Sequence, residues 1–470
     1  MFNNKKQFKS PSSASKLIFS ISLLLAILLF QDLQAQTFTR RNSPYSRYGI
    51  GDMYSTQFLP GLSTAGAFSA TYNSAWDFSI SNPASLGQIQ STTFDIGVFY
   101  KHSQLREKST GLSGAANDGN ISFLSIAFPI TRSWEVERDT LRRGVPIQWG
   151  MSFSLLPHST TAYDVRVIRN LTDIGNVQYK YTGEGTRFRA NWGNGIRYKG
   201  LSAGANIGVL FGTINDKTTI TFLDSAYTYA FSNRIQTEEN TIGLLWDLGL
   251  QYELKFKTPG RTPEGKQKSR SGLVFGAYIG GSNNMRVLAK ELEFRFGGAY
   301  ATDTLVNTED VKANMQLPLT VGGGIAYNYG TKWKLGANYE SSLWNSFSYS
   351  ERPISVANSY QVALGAEFTP DFLDFSNYFN RIRYRAGIYY GKDPRIVGSG
   401  VTAYQLTKYG ITFGLGLPVK PLKSNTLGHI QVGFEFGYLG NNNLINEYFF
   451  QTNLAFSLND GSWFRRYKFR

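Results

Sequence analysis

Apolar and polar positions alternate with a period of two along most of this chain. Phe94, Ile96, Val98 and Tyr100 are interleaved with Asp95, Gly97, Phe99 and Lys101. Leu201, Ala203, Ala205, Ile207, Val209 and Phe211 are interleaved with Ser202, Gly204, Asn206, Gly208, Leu210 and Gly212. Trp333, Leu335, Ala337 and Tyr339 repeat the pattern, as do Tyr384, Ala386, Ile388 and Tyr390 against Arg383, Arg385, Gly387 and Tyr389. Ile430, Val432, Phe434, Phe436 and Tyr438 continue it near the end. Successive strand side chains point to opposite faces, so each segment has one apolar and one polar or small face. Roughly fourteen such segments, about 9–11 residues each as a tilted bilayer-spanning strand requires, are centred near Ile96, Ile126, Met151, Trp192, Ile207, Leu248, Tyr278, Gly323, Leu335, Leu364, Ile388, Phe413, Phe434 and Leu454. The pattern is ambiguous over 216–240 and 285–315.

Alternation alone does not separate a soluble sandwich from a membrane barrel. Export, the recurrence of such segments along nearly the whole chain without a helical domain, and aromatics clustered toward segment ends together do. Lys5, Lys6, Lys9 and Lys16 precede an apolar run from Leu17 to Phe30, followed by Gln34-Ala35-Gln36. A basic start, a short apolar stretch and a small residue before the cut are the parts of a secretory signal, with cleavage expected after Ala35. An exported chain of alternating segments with no helical domain between them reads as all-β: a transmembrane antiparallel β-barrel, in which lipid meets the apolar face and the polar face lines the lumen. Closure leaves no unpaired backbone in lipid. Aromatic pairs such as Phe99-Tyr100, Tyr389-Tyr390 and Phe449-Phe450 are expected at the bilayer interfaces.

Tyr198-Lys199-Gly200 and Tyr329-Gly330-Thr331-Lys332 read as tight turns, and Pro418–Asn425 as a polar connection. Arg106–Gly119, Ala162–Thr186, Asp216–Asn240 and Gly391–Tyr404 read as long extracellular loops. Asp139–Val145 reads as a longer connection that breaks this alternation of short turns and long loops, and Pro259–Arg270, polar and basic, reads as lying outside the bilayer. The expected organisation is a signal peptide over 1–35, an N-terminal hatch inside the barrel over 36–90, the barrel over 91–458, and a basic periplasmic tail over 459–470. Small residues dominate the stretch 36–90, which suits tight packing in a lumen that would otherwise leak.

Composition narrows the chemistry. The 470 residues include no cysteine and only His102, His158 and His429, so neither a metal centre nor a cofactor is expected. Net charge is +15. The basic residues are scattered among glycines and aromatics without a recognition motif, which points to anionic lipid headgroups and lipopolysaccharide rather than nucleic acid. His158-Ser159 and His102-Ser103 fall on opposite strand faces and form no dyad, and no enzyme activity is expected.

Asn82-Pro83-Ala84 stands just before the first strand, and Gln316-Leu317-Pro318-Leu319-Thr320 opens a glycine-containing strand ending in Tyr327. Lys334–Glu340, Arg385–Tyr390 and Tyr409–Gly416 follow. These residues resemble the FadL-type family of outer-membrane transport barrels, including PorV-like relatives, and the Ser43–Gly49 stretch resembles barrels of Bacteroidota. The resemblance implies a fourteen-stranded barrel in the cell outer membrane. It implies a hatch ending in Asn82, Pro83 and Ala84, and passive uptake of hydrophobic compounds such as long-chain fatty acids through a gap in the wall. The PorV-like branch implies the alternative, an accessory subunit of an outer-membrane protein assembly or secretion complex with other outer-membrane proteins as partners. The polar faces nominate Asp95, Asn338, Glu340, Glu367, Arg383, Arg385 and Glu435 as lumen-lining residues.

Overall fold

The computed structural model describes residues 42–108, 111–131, 147–172, 174–224, 230–256, 271–297, 300–350, 354–372, 374, 376–398, 402–419 and 426–460. The signal segment, Asp139–Val145, Pro259–Arg270 and the tail beyond 460 lie outside the described residues.

The alternating segments form one closed antiparallel barrel of 14 strands. The strands are β1 Thr92–Glu107, β2 Ser113–Pro129, β3 Gln148–Leu171, β4 Gly175–Tyr198, β5 Leu201–Phe222 and β6 Ser232–Lys255. Then come β7, Gly272–Ser282 continued by Met285–Gly297, and β8, Tyr300–Gln316 continued by Leu319–Tyr329. β9 Trp333–Leu343, β10 Ser359–Phe368, β11 Arg383–Val397, β12 Tyr404–Val419, β13 Thr426–Gly440 and β14 Ile445–Asp460 complete the wall. The two parts of β7 and β8 are joined by short kinks, and the ladder between them keeps one register, from Met315 opposite Met285 to Thr320 opposite Gly280. The barrel closes where β14 pairs with β1, Thr92 opposite Asp460 and Glu107 opposite Ile445.

The burial pattern is the reverse of a soluble protein. Ile96 and Val98 on β1, Ile207 on β5, Leu248 and Leu250 on β6 and Ile388 on β11 are exposed. The residues between them are buried: Asp95 at 3 % exposure, Asn206 at 4 % and Arg385 at 4 %. An apolar outer band around a polar interior is the arrangement that lipid selects and water does not.

The expected tight turns are present. Tyr198–Gly200 turns on Lys199 (φ 54°) and Tyr329–Lys332 on Gly330 (φ 60°). The expected long loops are mostly strand. β1 runs to Glu107 and β2 starts at Ser113, and β3 and β4 extend through Ala162–Thr186 to meet at Leu171 and Gly175. β5 and β6 cover most of Asp216–Asn240, β7 and β8 cover most of 285–315, and β11 continues to Val397. Strands β3 to β8 thus reach beyond their neighbours as a wing, three of them with 24 residues. In the wing the outer face turns polar (Thr213, Asn215 and Lys217 on β5), so the apolar–polar contrast vanishes while the pairing persists. The aromatic pairs are likewise split between faces. Tyr100 faces outward at 47 % exposure, whereas Phe99 is buried inside. Adjacent residues on a strand cannot share a face, so at most one of each pair can sit in an interfacial belt.

At the rim where β1 begins and β14 ends, the connection between β10 and β11 is organised by Asp374. Its carboxylate accepts from the Ser376 backbone N–H (2.8 Å), the Ser376 hydroxyl (2.5 Å), the Asn377 N–H (3.1 Å) and the Asn380 amide (2.7 Å). These donors, the Ser376 hydroxyl first, hold its acidity below the ordinary aspartate range. A depressed acidity means that the stabilisation is complete above the ordinary aspartate value of about 3.9 and fades as pH falls below it. Amide exchange at Ser376 and Asn377 should therefore quicken, relative to unstructured amides, between about pH 4 and lower values. A flat protection profile over that range would contradict the assignment.

Candidate functional site

Residues 42–91 lie against the inner face of the barrel. They carry three short helical turns, Pro44–Arg47, Leu59–Leu62 and Pro83–Gln88, each with a proline in its first turn. Small residues let the backbone approach the wall, and the wall answers with glycine. A Cβ at Gly204 on β5 would meet Pro83 and Ala84, one at Gly249 on β6 would meet Asn82, and one at Gly276 on β7 would meet the Ala70 carbonyl. Gly336 on β9 faces Ala67 and Phe68, Gly387 on β11 faces Thr64, and Gly414 on β12 faces Ser63. The N-terminal segment thus follows a glycine-lined track around the interior.

Asn82, Pro83 and Ala84 sit on this track, all buried. The Asn82 Oδ1 accepts from the Ala84 N–H (3.1 Å) and caps the Pro83–Gln88 turn. Its Nδ2 donates to the carbonyls of Ala70 (2.6 Å), Leu250 (3.2 Å) and Ala277 (3.4 Å). One amide therefore joins two parts of the segment to strands β6 and β7. Asn82→Ala would lose the cap and strand buried carbonyls, and it should lower the stability of the seated segment by about 2–3 kcal/mol, read as a lower urea midpoint for its release. An unchanged midpoint would contradict this role.

The seven nominated charged and polar residues all lie on the interior face, but they belong to separate groups. Glu367 sits between Lys334 (3.2 Å) and Arg385 (2.7 Å), and Arg385 continues through Gln431 (3.1 Å) to Ser457 (2.9 Å from Gln431). Arg383 pairs with Asp77 of the N-terminal segment (3.7 Å) and lies over the Trp76 and Phe372 rings. Asn338 accepts from the Ala70 N–H (3.3 Å). Glu340 and Glu435 accept from the hydroxyls of Tyr278 (2.5 Å) and Tyr389 (2.7 Å). Asp95 is buried, with Ser457 of β14 and Ser125 of β2 directly opposite it on the two neighbouring strands.

Sequence reasoning missed the strongest ionic anchor. Arg395 bonds Asp393 (2.6 Å and 2.9 Å) and Asp52 of the N-terminal segment, and Asp52 also accepts from Asn42 (2.7 Å). Arg395 follows a register shift after Lys392 in a stretch that reads as loop, which hid it. Arg187 with Glu239 (3.2 Å), Arg189 with Asp247, and Lys101 with Glu447 (2.8 Å) were also missed. The alternation Arg187-Phe188-Arg189 was a legible signal for the first two.

Among the described residues the wall is interrupted between β2 and β3. β2 pairs with β3 only from Leu124 to Pro129, although both strands continue beyond. There the N-terminal segment takes the place of β2: Asp52 and Met53 pair with Thr160 and Ser159, the Asn42 N–H donates to the Ala162 carbonyl, and the Tyr54 N–H donates to that of His158. The Tyr54 hydroxyl reaches back to Asp118 on β2 (2.9 Å). A cavity of about 390 Å³ lies beside the interruption, lined there by Tyr54, Asp118, Ser122 and His158. Elsewhere its lining includes Lys101, Arg189, Asp247, Glu340, Arg395 and Glu435.

The barrel resembles known channel structures in fold. The P. putida toluene transporter TodX superposes with a TM-score of 0.51 at 13% identity, over 86% of this chain and 98% of that one. A TodX monoaromatic hydrocarbon channel deltaS2 mutant gives 0.50 at 13% identity over 86% and 99%. The CymD monoaromatic hydrocarbon channel gives 0.49 at 12% over 86% and 98%. No curated protein matches in sequence. The fold is that of an outer-membrane barrel. A family model described as BamG matches residues 17–470, and the chain belongs to the BamG family.

Proposed function

We propose that this barrel is an accessory subunit of an outer-membrane protein assembly complex, and that its N-terminal segment is a hatch that keeps the lumen closed. The observation that carries the reading is the match to the BamG family over nearly the whole chain, a name that points to an assembly-complex partnership. The lumen supports it. The cavity is bordered by the paired groups Lys101, Asp247, Glu340 and Glu435, and a hydrophobic solute entering it would strip their remaining hydration, which is costly. The wing and the basic tail over 459–470 would then serve as partner surfaces.

A second reading is passive uptake of hydrophobic compounds such as long-chain fatty acids. The interruption between β2 and β3 favours it, because its flanking residues line the cavity and would give a solute a sideways exit. In that reading Asp95, Asn338, Glu340, Glu367, Arg383, Arg385 and Glu435 border the route. Affinity purification of the tagged chain in mild detergent separates the two. Co-purification with a large outer-membrane barrel, with other outer-membrane proteins depleted on deletion, is the expected result. A chain that purifies alone, with deletion impairing only growth on hydrophobic carbon sources, would transfer the conclusion to uptake.

A further inference from the structure

The two strands that flank the interruption keep a common register. Their ladder, from Pro129 opposite Gly150 to Leu124 opposite Leu155, sets it. Just past Leu124 and Leu155 each strand carries one extra residue. Ser122 is skipped in the ladder with β1, where Gly97 faces Phe123 and Val98 faces Ile121. His158 is skipped in the ladder with β4, where Pro157 faces Phe188 and Ser159 faces Arg187. The two bulges lie at one level and cancel. The register therefore continues with Asn120 opposite Ser159 and Gly119 opposite Thr160. The faces still match, because Asn120 lies opposite the buried Phe99 and Ser159 opposite the buried Arg187. Ser159 and Thr160 are the residues that Met53 and Asp52 of the N-terminal segment pair with. One stretch of β3 thus has two candidate partners, and the segment holds it.

The edge of β2 carries placeholder bonds. The Gly119 N–H donates to Asp118 Oδ1 (2.9 Å), and the Ile121 N–H donates to Asn120 Oδ1 (2.9 Å). Donors two residues apart on a strand point the same way, and these are taken by side chains of their own strand rather than by β1, so they face the interruption. Carbonyls of β3 would replace those side chains if the strands met. Tyr54 stands against this. Its N–H donates to the His158 carbonyl on β3 (3.0 Å), its hydroxyl reaches Asp118 on β2 (2.9 Å), and its ring lies against Phe99 (5.4 Å). Asp52 beside it is tied to Arg395.

We propose that the segment and β2 are alternative partners for one edge of β3, so that release of the segment lets β2 zip onto β3 and closes the wall. The sideways and the axial openings then exclude each other. A seated segment fills the lumen and keeps the wall parted, whereas a released one clears the lumen and seals the wall. The device serves an assembly subunit and an uptake barrel alike.

The chain has no cysteine, so M53C/N120C/S159C offers the S159C thiol two partners and no others. Residues directly opposite in an antiparallel pair have Cα atoms about 4.5–5.5 Å apart, a span that a disulfide bridges. With the segment seated, mild oxidation of the full chain in membranes should link positions 53 and 159. Release, by R395M or by urea and read separately as tryptic cleavage at Arg47, should move the link to positions 120 and 159. The ratio of the second link to the first should rise about tenfold or more in R395M, because breaking a buried ion pair costs more than one decade in an equilibrium. N117C/S159C, which is off register, should stay unlinked. Heat-modifiable gel mobility confirms that each barrel is folded. A barrel cut at Arg47 without the 120–159 link, that link already dominant while the segment is seated, equal linking in N117C/S159C, or a segment that neither condition releases would each overturn the proposal.

Discussion

Gly276→Val should unseat the N-terminal segment while leaving the barrel intact. Gly276 lies on β7 with its open face against the Ala70 carbonyl oxygen, and any Cβ there collides with backbone rather than with a side chain that could turn away. Overpacking of a tight interior costs about 1–3 kcal/mol when the surroundings can adjust. Here the wall is held by continuous ladders on both sides, from Leu245 opposite Ser282 to Lys255 opposite Gly272 on one side and Thr320 opposite Gly280 to Asn328 opposite Gly272 on the other. The segment is held to the wall near this point only by side-chain hydrogen bonds, from Gln251 to the Ala70 and Tyr72 carbonyls, from the Ala70 N–H to Asn338, and from Asn82 to the Leu250 and Ala277 carbonyls. The weaker partner moves. Trypsin should then cut at Arg47 in a barrel of unchanged heat-modifiable mobility, and conductance in planar bilayers should rise above that of wild type. Gly323→Val is the control, since a Cβ at Gly323 has only the Gly276 carbonyl near it, at 3.7 Å. Equal protease resistance and conductance in G276V and wild type would reject this account of the seating.

Arg395→Met should have the largest effect of any single ionic substitution near the N-terminal segment. The guanidinium is 4 % exposed and holds two carboxylates, Asp393 on its own strand and Asp52 in the segment. Removing it leaves both carboxylates facing each other without a cation, and breaking a buried pair in this way costs about 3–5 kcal/mol. The loss falls on the pairing of Asp52 and Met53 with β3, which occupies the interruption in the wall. The urea midpoint for release of the segment should drop sharply in R395M. Neutralising all three groups, as D52N/D393N/R395M, should restore most of it, because a neutral set carries no unpaired charge. A triple variant no better than R395M would show that the arginine acts through its packing.

How much of this was legible depends on what each feature faces. Each expected centre, from Ile96 to Leu454, falls in its own strand, because lipid on one side and a polar interior on the other imprint a strict alternation. Strand ends were not legible. Beyond Phe211 the outer face of β5 turns polar, so Asp216 and Thr218 on the inner face read no differently from Asn215, Lys217 and Thr219 on the outer one. Interior positions such as Glu367 and Arg385 could be nominated from their place in the alternation, but their bond could not, because it joins neighbouring strands whose register only pairing fixes. The glycine track shows the same limit. Gly204, Gly249 and Gly387 stand on polar faces in the sequence, yet nothing there says that Pro83, Asn82 and Thr64 lie over them. The Arg395 anchor was hidden by a local irregularity in an otherwise regular strand.

The partnership of β1 with β14 carries a consequence for biogenesis. The two strands that close the cylinder are the first and last of the wall, so the final ring bond waits for the end of the chain, and the loop it closes is nearly the whole polypeptide. Residues 42–91 precede β1 and finish inside. A ring that shuts first would have to be threaded afterwards, whereas an open, curling sheet can receive them from the side. The geometry favours one order of events, in which the interior strip is laid down while the cylinder is still a gutter and the last strand seals it in.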